Sequence, residues 1–131
     1  MTVTTADPTA VTIEFTTAMP GLSPYTAFTL VTIAGAEGLY ALRALDADLR
    51  LFLLDAAAVG RGYAPRIPAG SRAEIGAADT DVLRMFVIAN PSDEGVHVNL
   101  RAPIVVHPQT GRAAQVILDD QDHPIRALLG G

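Results

Sequence analysis

The chain has 131 residues, half of them hydrophobic and 18% charged, with no cysteine and nine basic residues, all arginine, against fourteen acidic ones, for a formal net charge of −5. That balance excludes wholesale disorder, disulfides, thiol nucleophiles and thiolate metal sites, and the lack of lysine or any arginine cluster argues against direct nucleic-acid binding. A single domain spanning 1–131 is expected, with 1–10 and 129–131 as loose termini, and an aliphatic core, because aromatics are limited to 4 Phe and 3 Tyr.

Met1 to Ala10 lacks the basic start and continuous apolar stretch of a signal peptide, and no apolar run approaches the roughly 20 residues that span a bilayer. The expectation is a cytoplasmic protein with no membrane partner. Val11-Thr-Ile-Glu-Phe15 alternates, setting Val11, Ile13 and Phe15 on one face of a strand. Met19 to Pro24, with two prolines, reads as a loop, and Ala27 to Ile33, rich in Thr, Val and Phe, as a second strand. Leu39–Ala44 and Leu49–Leu54 flank the polar Asp46-Ala-Asp48 corner of a hairpin.

Between Asp55 and Thr80, Ser71-Arg-Ala-Glu74 has the spacing of a capping box and predicts one short helix starting there. Val82–Ala89 is almost wholly apolar, Pro91 to Gly95 reads as a turn, and Val96-His-Val-Asn-Leu100 alternates with Val96, Val98 and Leu100 inward. Ile104–His107 and Ala113–Leu118 flank a turn at Pro108 to Arg112. About eight short strands and one short helix predict a mostly β protein, a small closed or nearly closed antiparallel β-barrel, whose closure would remove exposed sheet edges.

Catalytic chemistry finds little support. Ser23, Ser71 and Ser92 sit at turns or the helix start, outside any nucleophile elbow. His97, His107 and His123 lack the spacing of metal ligands and are expected to face solvent on strand surfaces, and Asp120-Gln-Asp122 misses the other positions of a calcium loop. No catalytic residue, metal or cofactor is expected. Gly60-Arg-Gly62 lacks the lysine and spacing of a phosphate loop. The unusual segment is Asn99-Leu-Arg-Ala-Pro103, where a polar Asn, an Arg and a ladder-breaking Pro make a bend able to present groups to a partner, or a structural corner in which Asn99 bonds local backbone.

At those residues a family resemblance enters. Asn99-Leu-Arg-Ala-Pro-Ile-Val-Val-His-Pro, then Gly111-Arg-Ala-Ala-Gln-Val-Ile-Leu118, then His123-Pro-Ile-Arg126 with Leu128, resembles the C-terminal signature of the flagellar assembly factor FliW family. Gly21-Leu22, Tyr25, Phe28, Leu51 to Asp55 and Tyr63 resemble its upstream pattern, so the resemblance runs over roughly residues 11 to 129. Ser23-Pro24 stands where the family usually has Pro-Gly, His107 where Asn is common, and His123 at a usual Tyr position.

The resemblance implies a non-enzymatic chaperone that binds newly made flagellin and also binds CsrA, the RNA-binding translational repressor. Unsecreted flagellin would occupy the protein and free CsrA to repress; export would release it to capture CsrA. Asn99, Leu100, Arg101, Ala102, Pro103, Tyr63, Gln115 and Arg126 are the expected partner-binding residues. Asp79, Asp81, Asp93, Glu94, Asp119, Asp120 and Asp122 are candidates for acidic turns facing basic CsrA. The alternatives are a small-ligand or carbohydrate-binding barrel with its site in the interior or at the rim, and, more weakly, a metal-dependent hydrolase built on the three histidines.

Overall fold

A computed structural model describes residues 11–19, 21–33, 35, 38–59, 63–78, 80–119 and 121–128. The expected loose termini, 1–10 and 129–131, lie outside the described residues. The strands are β1 (Val11–Phe15), β2 (Ala27–Thr32), β3 (Leu39–Ala44), β4 (Arg50–Asp55), β5 (Arg84–Ser92), β6 (Gly95–Val98), β7 (Ile104–Val106), β8 (Arg112–Gln115) and β9 (Ala127–Leu128). A 3-10 turn, Ala56–Ala58, and one helix, α1 (Ala69–Glu74), lie between β4 and β5.

Seven strands close a ring in the order β4-β3-β2-β1-β8-β7-β5, with β5 returning to β4. An odd-numbered ring cannot alternate strand direction all the way round, so one neighbouring pair must be parallel. That pair is β1 with β8, through Glu14 opposite Arg112 and Phe15 opposite Ala113. The expected closed barrel is present, antiparallel at every other seam. At nine residues, β5 is long enough to serve three partners: β4 along one edge, and β7 and then β6 along the other. It runs on through Pro91 and Ser92, into the span expected as a turn, which shrinks to Asp93-Glu94. Proline is tolerated there because β4 no longer flanks that part of β5.

Register explains the core. Inward parity collects Ile13, Phe15, Phe28, Leu30, Leu42, Leu53, Phe86, Ile104, Val106 and Ala113 into one buried cluster that fills the barrel, as expected of small barrels packed by their own side chains. Val11 shares the parity but lies at the end of its strand, 39% exposed. Two further clusters cover parts of the outer wall. One packs α1 and its flanks, through Ile75 and Ile67, on Val105, Ala114, Val116 and Leu118. The other gathers Leu54, Val59, Val87, Val98, Leu100 and Ala127.

The helix differs from the expected one in its start. It begins at Ala69 after Pro68, whose carbonyl accepts from the Ser71 and Arg72 amides, and no side chain caps it. Ser71 therefore lies inside the helix, and Glu74 instead accepts hydrogen bonds from Thr16 and Thr17. Pro68 stands at the cap position itself, with φ −59 and ψ 147, and having no backbone N–H it adds no unpaired donor there.

The two ends of the barrel differ. At the end where β5 begins, Arg84 points inward and closes it: its guanidinium lies 4.8 Å from the Phe86 ring centroid and 5.4 Å from that of Tyr40, and it donates to the Tyr40 hydroxyl at 3.0 Å. At the other end the β1–β8 pairing stops at Phe15 and Ala113, with one more bond from the Thr16 amide to the Ala113 carbonyl, and Met19 packs into the core there beneath a surface hollow at the mouth.

Candidate partner-binding site

The Asn99–Pro103 segment forms a tight corner. Asn99 Oδ1 accepts from the Arg101 amide at 3.0 Å and the Ala102 amide at 3.2 Å, a side chain replacing the backbone turn it cannot otherwise complete. Arg101 donates from Nε to the His123 carbonyl at 3.0 Å, and Gln115 from Nε2 to the Ala102 carbonyl at 3.3 Å. The Val116 and Leu118 amides donate to the Pro103 and Arg101 carbonyls, and the Leu100 amide to the Pro124 carbonyl. Tyr63 donates its hydroxyl to the Leu100 carbonyl at 2.8 Å and meets the His123 ring edge-to-face at 5.2 Å. Burial pushes the Tyr63 phenol up to about 12.

The structure thus brings seven of the eight candidates, Tyr63, Asn99, Leu100, Arg101, Ala102, Pro103 and Gln115, into one network, with Leu100, Ala102 and Pro103 buried. Their named polar groups are engaged internally, so their direct work is to hold the bend. Arg126 stands apart, exposed, with Nη2 3.5 Å from His97 Nδ1.

What this corner shapes is an apolar groove at the open mouth of the barrel. One hollow of about 340 Å³ is lined by Met19, Leu22, Leu51, Ile88, Asn99, Ala102, Gln115 and Ile117. A second, of about 220 Å³, adjoins it through Met19, Gln115 and Ile117 and extends to Thr17, Ala18, Ala114 and Glu74. Ile117 is half exposed, on the parity of Ala113 and Gln115, where the barrel interior opens outward. Sequence reasoning reached Asn99, Ala102 and Gln115 but missed Met19, Leu22 and Ile117. The available signal was Ile117 itself, an apolar residue between Val116 and Leu118, both of which the helix-side cluster buries.

The histidines contradict the solvent-facing expectation at two of three positions. His97, opposite Leu128 of β9, is 8% exposed, and His107, set against Asp81, is 5% exposed. Nε2 of His107 lies 3.1 Å from Asp81 Oδ2, and its Nδ1 is buried without a partner among the described residues. The Ala78 amide, and then His107, hold the Asp81 carboxyl below its ordinary value. His97 Nδ1 lies 3.2 Å from Ser92 Oγ and its Nε2 3.6 Å from Glu94. Ser92 also donates to the Gly95 carbonyl and accepts from the Glu94 amide, so the group closes the β5–β6 turn. Among the described residues no three His, Asp or Glu gather closely enough to hold a metal ion. Among the same residues, no helix is long and apolar enough to cross a membrane.

Of the acidic candidates, Asp93 and Glu94 are exposed at the β5–β6 turn and Asp119 and Asp122 near the C-terminal segment, whereas Asp81 is tied to His107. Asp79 and Asp120 lie outside the described residues.

Fold and site together define a small β-barrel with a filled interior and an apolar groove at one mouth. Similarity to known proteins places the chain in a family. The model of the FliW protein family matches residues 1–129, and the chain belongs to that family. It is 32% identical over 87 residues to a flagellar assembly factor FliW of Thermotoga maritima, an alignment covering 64% of this chain and 58% of that relative. Similarity to the flagellar assembly factor FliW of an Exiguobacterium species is 27% over 125 residues, covering 93% of this chain and 86% of that one. A crystal structure of the flagellar assembly factor FliW superposes with a TM-score of 0.84 at 18% identity, over 92% of this chain and 86% of that one.

Proposed function

We propose that the protein is a non-enzymatic chaperone that docks flagellin in the mouth groove and antagonises CsrA through a separate acidic surface. The observation that carries this reading is the groove itself, an exposed apolar channel bordered by Asn99, Ala102 and Gln115, members of the motif that marks the family resemblance. Leu22, Leu51, Ile88 and Ile117 provide anchors for an amphipathic segment above the buried Met19, with Asn99 and Gln115 as part of its polar border. In this reading Asn99 to Pro103 and Tyr63 act by fixing the groove's wall, and Arg126, beside His97 and outside the groove's lining, is a separate partner contact.

CsrA, as a basic partner, would meet Asp93 and Glu94 or Asp119 and Asp122, with an association rate that falls as salt rises. Contrary to the expected aliphatic core, Phe15, Phe28 and Phe86 fill the barrel interior together with aliphatic side chains, which counts against an interior site for a small ligand or carbohydrate and leaves that alternative only the rim. Calorimetry with the flagellin and CsrA of the same source, at two salt concentrations, tests the proposal. Binding of both, salt-sensitive for CsrA and lost for flagellin in Ile117→Asp, is the expected result. Folded protein that binds neither partner would refute it.

A further inference from the structure

The β3–β4 hairpin sets Arg43 directly opposite Arg50, both exposed on the outer wall of the barrel. Like charges in direct cross-strand register repel, and the Ala44 amide to Leu49 carbonyl bond, at 2.9 Å, closes the hairpin just beyond them. Among the described residues neither guanidinium has a carboxylate within 4.0 Å. Arg50 instead lies over the Phe52 ring, 5.1 Å from its centroid, which holds one face of the guanidinium and leaves its edge N–H groups free to point elsewhere.

Beside the pair lies a hollow of about 480 Å³ lined by Arg43, Ala44, Ala47, Asp48, Leu49 and Arg50. Among the residues lining the hollow, two guanidinium groups stand against one carboxylate, that of Asp48, and leave one positive charge, which a single carboxylate balances with the geometry a guanidinium fork matches; Asp46 lies outside that lining. A polyanion would meet Asp48 and the neighbouring exposed Asp46 at the same corner. One step further along the same wall, Ala41 stands opposite Phe52 and Val31 opposite Ala41, a half-buried apolar strip.

We propose that the outer wall at β3–β4 docks an acidic segment of a partner protein, with a carboxylate held between Arg43 and Arg50 and a neighbouring apolar side chain on Phe52 and Ala41. The site is distinct from the mouth groove and stands whether or not flagellin occupies that groove. Its occupant must carry an Asp, a Glu or a chain terminus next to an apolar residue.

The test is an NMR titration of the 15N-labelled full chain with the peptide acetyl-Ala-Glu-Leu-Ala-amide. The same peptide with Gln for Glu, and inorganic phosphate, serve as comparison probes. The expected result is amide shifts confined to Thr29, Val31, Ala41, Arg43, Arg50 and Phe52, about tenfold weaker binding of the Gln peptide, and loss of the response in Arg43→Gln/Arg50→Gln. That variant relieves a repulsion, so its dispersed spectrum reports an intact fold. Absence of shifts, or equal binding of the Gln peptide, would overturn the proposal. A phosphate response as strong as the peptide's would overturn it in favour of a general anion site. Shifts at Arg43 and Arg50 that grow with protein concentration alone would overturn it in favour of a second copy of this chain.

Discussion

Replacing Gly111 by Ala should damage the barrel at its one parallel seam. Gly111 has φ +78, and a Cβ there would lie 2.7 Å from the Thr12 carbonyl oxygen of β1, a backbone atom that cannot rotate away. The left-handed conformation costs a non-glycine residue roughly 1–2 kcal/mol, and forcing an atom into packed structure adds about 1–3 kcal/mol. Relief of the overlap also strains the bond from the Glu14 amide to the Gly111 carbonyl, 2.9 Å long, which helps join β1 to β8. Gly76 is the control, since its φ is +73 but nothing lies within 4 Å of the place a methyl would occupy, so Gly76→Ala meets only the backbone term. Urea unfolding of both variants should place Gly111→Ala about 1–3 kcal/mol below Gly76→Ala at unchanged slope. Equal midpoints for the two would refute the claim that close approach of β1 makes glycine obligatory at 111.

Asn99→Ala should lose about 1–2 kcal/mol of stability, because the Arg101 and Ala102 amides lose their shared acceptor; thermal and urea unfolding measure it, and an unchanged midpoint would contradict the corner described. The phenol of Tyr63, raised from 10.0 to about 12 in the folded chain, contributes stability that is complete below pH 10 and is lost as pH rises from 10 through 12, a loss that Tyr63→Phe should not show in alkaline unfolding. Asp81 has the opposite sign: its folded carboxyl is held low, so its contribution is present above the ordinary carboxylate range and disappears as pH falls through the lowered value, and Asp81→Asn should flatten that part of an acid titration. Arg43→Gln, which removes half of a directly opposed like-charge pair, should leave the protein as stable or more stable by roughly 0.2–1 kcal/mol in urea.

The strands were legible because most of them alternate. Ile13 and Phe15, or Val98 and Leu100, are buried at the parity their spacing dictates. Closure followed from the number of short strands, whereas the parallel β1–β8 seam has no local signal, since it joins Phe15 to Ala113 across the chain. The helix start misled because Ser71 and Glu74 have capping spacing, yet Pro68 takes the cap position three residues further upstream and Glu74 finds Thr16 and Thr17 instead. His97 lies opposite Leu128 and near Arg126 of the C-terminal segment, and His107 against Asp81, 26 residues away, so strand alternation alone did not reveal their burial. The motif residues at 99–103 stood out correctly as a bend. The groove they border was illegible, because Met19, Leu22, Leu51, Ile88 and Ile117 come from separate segments and meet only where the barrel mouth opens.

The most direct measurement is calorimetric titration of flagellin from the same source into the wild-type chain and into Ile117→Asp. Half exposed at the mouth, Ile117 gives up only about half of an isoleucine's burial on conversion to Asp, roughly 1 kcal/mol, so lost binding by a variant whose urea midpoint shows it folded reports on docking. The account predicts binding by the wild type and at least about tenfold weaker binding by the folded variant, the effect of seating a charge in an apolar contact. Equal affinity of the two folded proteins would contradict docking in the mouth groove.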